Sequence, residues 1–97
     1  MEKLPEIDTF LHTPGRLKIM TYLYLVKETD ATFLLRKTGL SWGNLSSHMT
    51  KLEEKGYISI TKEIVNKKTR TTLEITEEGK QAYNDYRESL DSLFKSK

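Results

Sequence analysis

The chain of 97 residues contains no cysteine. That absence excludes a disulfide scaffold, a thiolate metal site and a cysteine nucleophile, and it fits a reducing compartment. Proline occurs twice, tryptophan once and glycine five times, with no Gly-rich phosphate loop among them. There is no nucleophile elbow and no HExxH pattern. "SSH" sets two serines beside His48, but helix neighbours one and two apart point in different directions, so no nucleophile–base pair follows. His12 and His48 are the only histidines, and two isolated histidines without cysteine do not make a metal site. These absences predict no enzyme, no metal and no cofactor. No apolar run approaches the roughly 20 residues of a membrane span. The start, "MEKLPEIDTF", lacks the basic and then apolar profile of a signal peptide. A cytoplasmic protein without a membrane partner is expected.

What is present suits one small domain over residues 1–97. Hydrophobic residues are 36% and charged residues 31%, an ordinary soluble composition. A domain of this size has a modest core, which a partner subunit would enlarge. The net charge of +2 is unevenly spread. Residues 41–72 hold six basic and three acidic side chains, whereas 73–97 hold four and six. A positive middle third is a mild sign of a polyanionic partner.

Periodicity orders the chain. "LPEIDTFLH" predicts a short helix with Ile7, Phe10 and Leu11 on one side. "TPGRLKIMTYLYLVKE" predicts a longer one, with Thr13 as N-cap and Pro14 at the first helical position, apolar over a wide arc. "DATFLLRKTG" predicts a third helix, capped by Asp30 or Thr29 and ended by Gly39. A fourth, about 42–55, starts after Ser41 and ends at Gly56, with Leu45, Met49 and Leu52 on one face. "YISITKEIV" and "RTTLEIT" then read as strands joined by the polar turn "NKKT". Thr76 caps a last helix, about 77–95. The order α-α-α-α-β-β-α, with a tight turn in "KTGLS" and a hairpin after it, is a helix-turn-helix with a β wing. The fold class is mainly α with a small β-hairpin wing (α+β).

Three stretches, "HTPGRLKIMTYL", "TGLSWGNLSSHMTKLEEKGYI" and "LEITEEGKQAY", with a hairpin before the last, resemble the small winged-helix transcriptional regulators related to the MarR and ArsR families. The likeness runs from about Ile7 to Phe94. It implies a recognition helix in the DNA major groove, a wing on the flanking backbone or minor groove, and a homodimer formed by terminal helices. The cysteine-rich motif of metal-sensing ArsR members is missing.

The fourth helix carries the chemistry. On a wheel of about 100° per residue, Gly43, Ser47 and Thr50 lie opposite Leu45, with Asn44 and Lys51 on one flank and Ser46 on the other. A solvated face is usually filled with Lys and Glu. Small hydrogen-bonding residues instead permit close approach and match base edges: Asn for adenine, Ser and Thr for several bases, Lys for guanine or phosphate. Trp42 falls at the edge of the apolar stripe, where partial burial and stacking on a sugar or a thymine methyl are both open. His48 lies at the other edge, placed to pack or to meet a phosphate. In the wing, about 62–72, Lys62, Lys67, Lys68 and Arg70 predict phosphate contacts. Arg16 and Lys37 are weaker candidates. The terminal segments, about 4–12 and 77–95, offer Leu4, Ile7, Phe10, Leu11, Tyr83, Tyr86, Leu90, Leu93 and Phe94 to a dimer interface. A dimer would match a pseudo-palindromic site.

The expected function is a sequence-specific regulator that binds double-stranded DNA as a homodimer. Any small-molecule effector would sit between subunits or near Tyr22, Tyr24 and the last helix. The alternative is a winged-helix protein-interaction module of a larger assembly, without sequence-specific DNA binding.

Overall fold

The computed structural model describes residues 3–95. The elements are α1 (Pro14–Val26), β1 (Glu28–Asp30), α2 (Ala31–Thr38), α3 (Trp42–Glu54), β2 (Ile58–Val65), β3 (Lys68–Ile75) and α4 (Glu77–Lys95). The three strands form one antiparallel sheet in the order β1-β3-β2. The winged helix-turn-helix expected from the sequence is therefore present, built from four helices and a three-stranded sheet.

Local chemistry sets most boundaries. Pro14 opens α1 after an extended Thr13, although the Thr13 hydroxyl accepts a hydrogen bond from the Arg16 guanidinium (3.0 Å) rather than capping the helix. The Asp30 carboxylate accepts from the Phe33 N–H (2.7 Å) and caps α2. The Ser41 hydroxyl accepts from the Asn44 N–H (3.2 Å) and caps α3. Gly56 at φ +80° ends the turn after α3, a left-handed conformation that favours glycine. The Thr76 hydroxyl accepts from the Gly79 N–H (2.9 Å) as the cap of α4. It also donates to the Gly56 carbonyl (2.6 Å), which ties the entry to the wing to the exit from it.

Two elements differ from the sequence reading. The predicted helix over 4–12 is not formed; the segment is irregular, with a turn at residues 9–11. The Asp8 carboxylate accepts from the Phe10 and Leu11 N–H groups (2.9 and 3.1 Å), and such side-chain bonds compete with a helix. Burying Leu11 fully and Phe10 in part fixes the segment on the domain instead. Second, β1 carries no strand signal of its own. "ETD" is extended because β3 pairs with it, Thr29 opposite Leu73. The wing turn is also tighter than "NKKT": Asn66 and Lys67, both at positive φ, make a two-residue connection of the type whose twist suits a hairpin.

Leu11, Ile19, Met20, Leu23, Leu34, Leu45, Leu52 and Leu73 are fully buried in a single core. α4 is pinned to α1 by tyrosines: Tyr83 Oη to Thr21 Oγ1 (2.8 Å) and Tyr24 Oη to Asn84 Oδ1 (2.7 Å). Tyr86 Oη meets His12 Nδ1 at 2.7 Å. Leu11, Tyr83 and Tyr86, assigned to a partner interface from the sequence, thus lie in the core of the single chain. They have almost no surface left for a partner. Leu4 and Phe94 are exposed, and Ile7, Phe10, Leu90 and Leu93 are half-buried.

Candidate nucleic-acid interface

α3 is seated by Leu45, Met49 and Leu52, all buried. Truncating a fully buried leucine to alanine costs about 2–5 kcal/mol, so this stripe fixes the helix while the opposite face stays free to vary. That face carries Gly43, Asn44, Ser46, Ser47, Thr50 and Lys51, all exposed. Thr50 donates back to the Ser46 carbonyl (3.1 Å), leaving its lone pairs outward. Among the described residues, the side chains of Asn44, Ser47 and Lys51 make no intramolecular hydrogen bond or ion pair. Open space surrounds Gly43. The face is therefore small, polar and unspent, and a duplex edge would meet it without displacing an internal partner.

Trp42 is 54% exposed, so the indole is partly covered and keeps about half of its surface toward solvent. It stands on the first turn of α3, beside the cleft that separates α2 from β3. His48 is half-buried against α1, where a methyl group added at Gly15 would run into the imidazole. Burial, then the Arg16 and Lys51 charges, hold the His48 pKa below the ordinary histidine value. Arg16 is spent inside the fold. It donates to the Phe10 carbonyl (2.7 Å) and to Thr13, and its guanidinium lies 4.4 Å over the Phe10 ring. Lys37 lies exposed over the Phe33 ring.

In the wing, Lys62, Lys67, Lys68 and Arg70 are all exposed, and none of them makes an ion pair among the described residues. They are not one cluster. Lys62 pairs with Thr71 and shares the sheet face of Ile60 and Leu73; Arg70 pairs with Glu63 and Lys68 with Val65 on the other face. Lys67 occupies the turn. The basic residues thus surround the wing tip, with Ile64 at 79% exposure among them. Sequence reasoning missed Arg36, whose exposed guanidinium shares the α2–β3 cleft with Trp42 and Arg70. Its helical spacing carried no signal; only the placement of α2 against β3 brings the three together.

Among the described residues no group of three or more His, Asp or Glu side chains is arranged to hold a metal, and no helix is long and apolar enough to cross a membrane.

A helix-turn-helix followed by a basic hairpin, with an unspent polar face on its second helix, defines a winged-helix DNA-binding architecture. Residues 16–94 match the family model described as a winged helix DNA-binding domain, and the chain belongs to that family. It is 34% identical over 71 residues to the uncharacterized protein MJ0432 of Methanocaldococcus jannaschii, covering 73% of this chain and 77% of that one. A solved transcriptional regulator homologue from Pyrococcus horikoshii OT3 superposes with a TM-score of 0.84 at 30% identity, over 90% of this chain and 86% of that one. At 17% identity, a crystal structure of overoxidized AbfR bound to DNA shares the fold (TM-score 0.72, 91% of this chain and 67% of that one). So does NadR in complex with 4-hydroxyphenylacetate, at 22% identity (TM-score 0.72, 89% and 63%).

Proposed function

We propose that the protein is a transcriptional regulator that binds double-stranded DNA in a sequence-specific manner. α3 enters the major groove, the wing lies on the flanking backbone or minor groove, and two copies act as a homodimer. The observation that carries this reading is the exposed α3 face. Gly43 allows close approach, Asn44, Ser46, Ser47 and Thr50 supply donors and acceptors at base edges, and Lys51 supplies a charge. Wing cations at Lys62, Lys67, Lys68 and Arg70 support phosphate contact, which positions a protein on a duplex without reading sequence. The DNA-bound AbfR fold and the Pyrococcus regulator homologue support the same assignment.

The dimer is supported by two apolar side chains that the single chain leaves exposed, Phe94 (81%) and Leu4 (65%), with the half-buried Leu93 and Leu90 near Phe94 on α4. A two-fold axis would place two recognition helices on half-sites about one helical turn apart. An effector is supported by a groove of about 620 Å³ between α1 and α2, bordered by Pro14, Leu17, Tyr22 and Leu25. That volume lies within the range of small-molecule sites, and NadR, which shares the fold, was crystallised with an aromatic acid.

Binding of a labelled random-sequence duplex pool over a salt series, with the bound fraction sequenced, tests this reading. A two-fold symmetric enriched motif is expected. Salt-sensitive binding without enrichment removes sequence specificity from the proposal. No binding at low salt overturns it and favours a protein-interaction module.

A further inference from the structure

A cleft of about 420 Å³ separates α2 from β3, and its walls join the start of the helix-turn-helix to the wing, more than 25 residues further along the chain. Arg36 reaches it from α2, Trp42 from the first turn of α3, and Thr69, Arg70 and Thr71 from the wing. Both guanidinium groups are exposed, and neither forms an ion pair among the described residues. The Phe33 ring lies 5.9 Å from the Arg36 guanidinium. The one carboxylate on the wall, Asp30, is committed to capping α2 through the Phe33 N–H.

Two guanidiniums with no ion-pair partner border one cleft, and their planar forks fit phosphate oxygens. Threonine hydroxyls are further donors of the kind that serve phosphates. An exposed indole beside them offers a flat apolar face to a sugar or a thymine methyl. Cations, hydroxyls and one aromatic face, in an open cleft that starts at the N-terminus of the recognition helix, match the repeating chemistry of a nucleic-acid strand.

We propose that the cleft between α2 and the wing is the track of one DNA strand, with Arg36 and Arg70 holding its phosphates and the Trp42 indole lying on its sugar edge. This rests on the DNA-binding reading above. It adds a phosphate ligand from the first helix of the helix-turn-helix and assigns Trp42 to the strand leaving the major groove.

The test uses the same random-sequence duplex pool. Removing one phosphate-neutralising cation lowers the slope of log Kobs against log salt by about 0.9. Arg36→Gln is expected to flatten the slope by about that amount and to weaken binding alike for all sequences, while Arg36→Lys keeps the slope. Trp42 is the only tryptophan, so its fluorescence reports on the cleft alone. Saturating duplex is expected to shield it from acrylamide quenching. A wild-type protein that binds duplex, with an Arg36→Gln slope equal to wild type and Trp42 still quenched, overturns the strand track and leaves the DNA-binding reading standing. A wild-type protein that binds no duplex overturns both.

Discussion

Ser47 and His48 are adjacent on α3 and do opposite work. Ser47 is exposed on the polar face, and replacing it with glutamate puts a negative charge where the duplex would lie. Like charges brought together across an interface cost several kcal/mol, so Ser47→Glu is expected to cut affinity by about 100-fold with an unchanged melting temperature. Unaltered affinity in a fluorescence anisotropy titration would remove this face from the interface. The His48 pKa is lowered by burial and then by the Arg16 and Lys51 charges. Its folded pKa lies below its unfolded value near 6.5, so the unfolded chain takes up the proton first. Stability is therefore full above about pH 6.5 and falls as pH drops through that value toward the folded pKa. Urea unfolding at pH 7.5 and 5.5 should show this loss in the wild type and a smaller one in His48→Gln. An equal loss in both would place the acid sensitivity elsewhere.

At the scale of the element, α1 to α4 and the wing hairpin follow local rules, and β1 does not. Asp30 and Ser41 cap α2 and α3 because a short side-chain oxygen satisfies an N–H that the helix leaves free. The same preference of an Asp side chain for nearby N–H groups converts residues 4–12 from an amphipathic helix pattern into a turn at Asp8. A wing of two strands is marginal by itself, and β1 is added to it by tertiary pairing alone. Because the wing lysines are exposed and unpaired, their removal should cost little stability. Lys67→Ala with Lys68→Ala is expected to weaken binding to all duplexes by a similar factor and to reduce the salt slope by about two. A slope that stays at the wild-type value would take the wing tip off the DNA.

For the whole molecule, α4 is fixed at one end and exposed at the other. Its first half is locked to α1 and to His12 by the Tyr83 and Tyr86 hydroxyls. Its second half ends on the exposed Phe94 ring with Leu93 alongside. Solvent-facing apolar groups of this kind lose water when a second copy packs on them. Leu93→Lys with Phe94→Glu should shift sedimentation velocity profiles toward monomer without lowering the melting temperature. A variant that remains a dimer would rule out the end of α4 as the interface.

The sequence by itself determined the winged-helix class, the buried stripe of α3 and its polar face, the caps at Ser41 and Thr76, and the basic tip of the wing; for α2 it left Asp30 and Thr29 as alternatives, and the fold chose Asp30. Periodicity, capping chemistry and charge are properties of neighbours along the chain, so they are legible without coordinates. Three other things required the folded chain: the β1 pairing, the burial of Tyr83, Tyr86 and Leu11 within one chain, and the meeting of Arg36, Trp42 and Arg70 at one cleft. Each depends on which distant surfaces come together. An amphipathic face shows that something covers it, and only packing decides whether the cover is the same chain, a second copy or DNA.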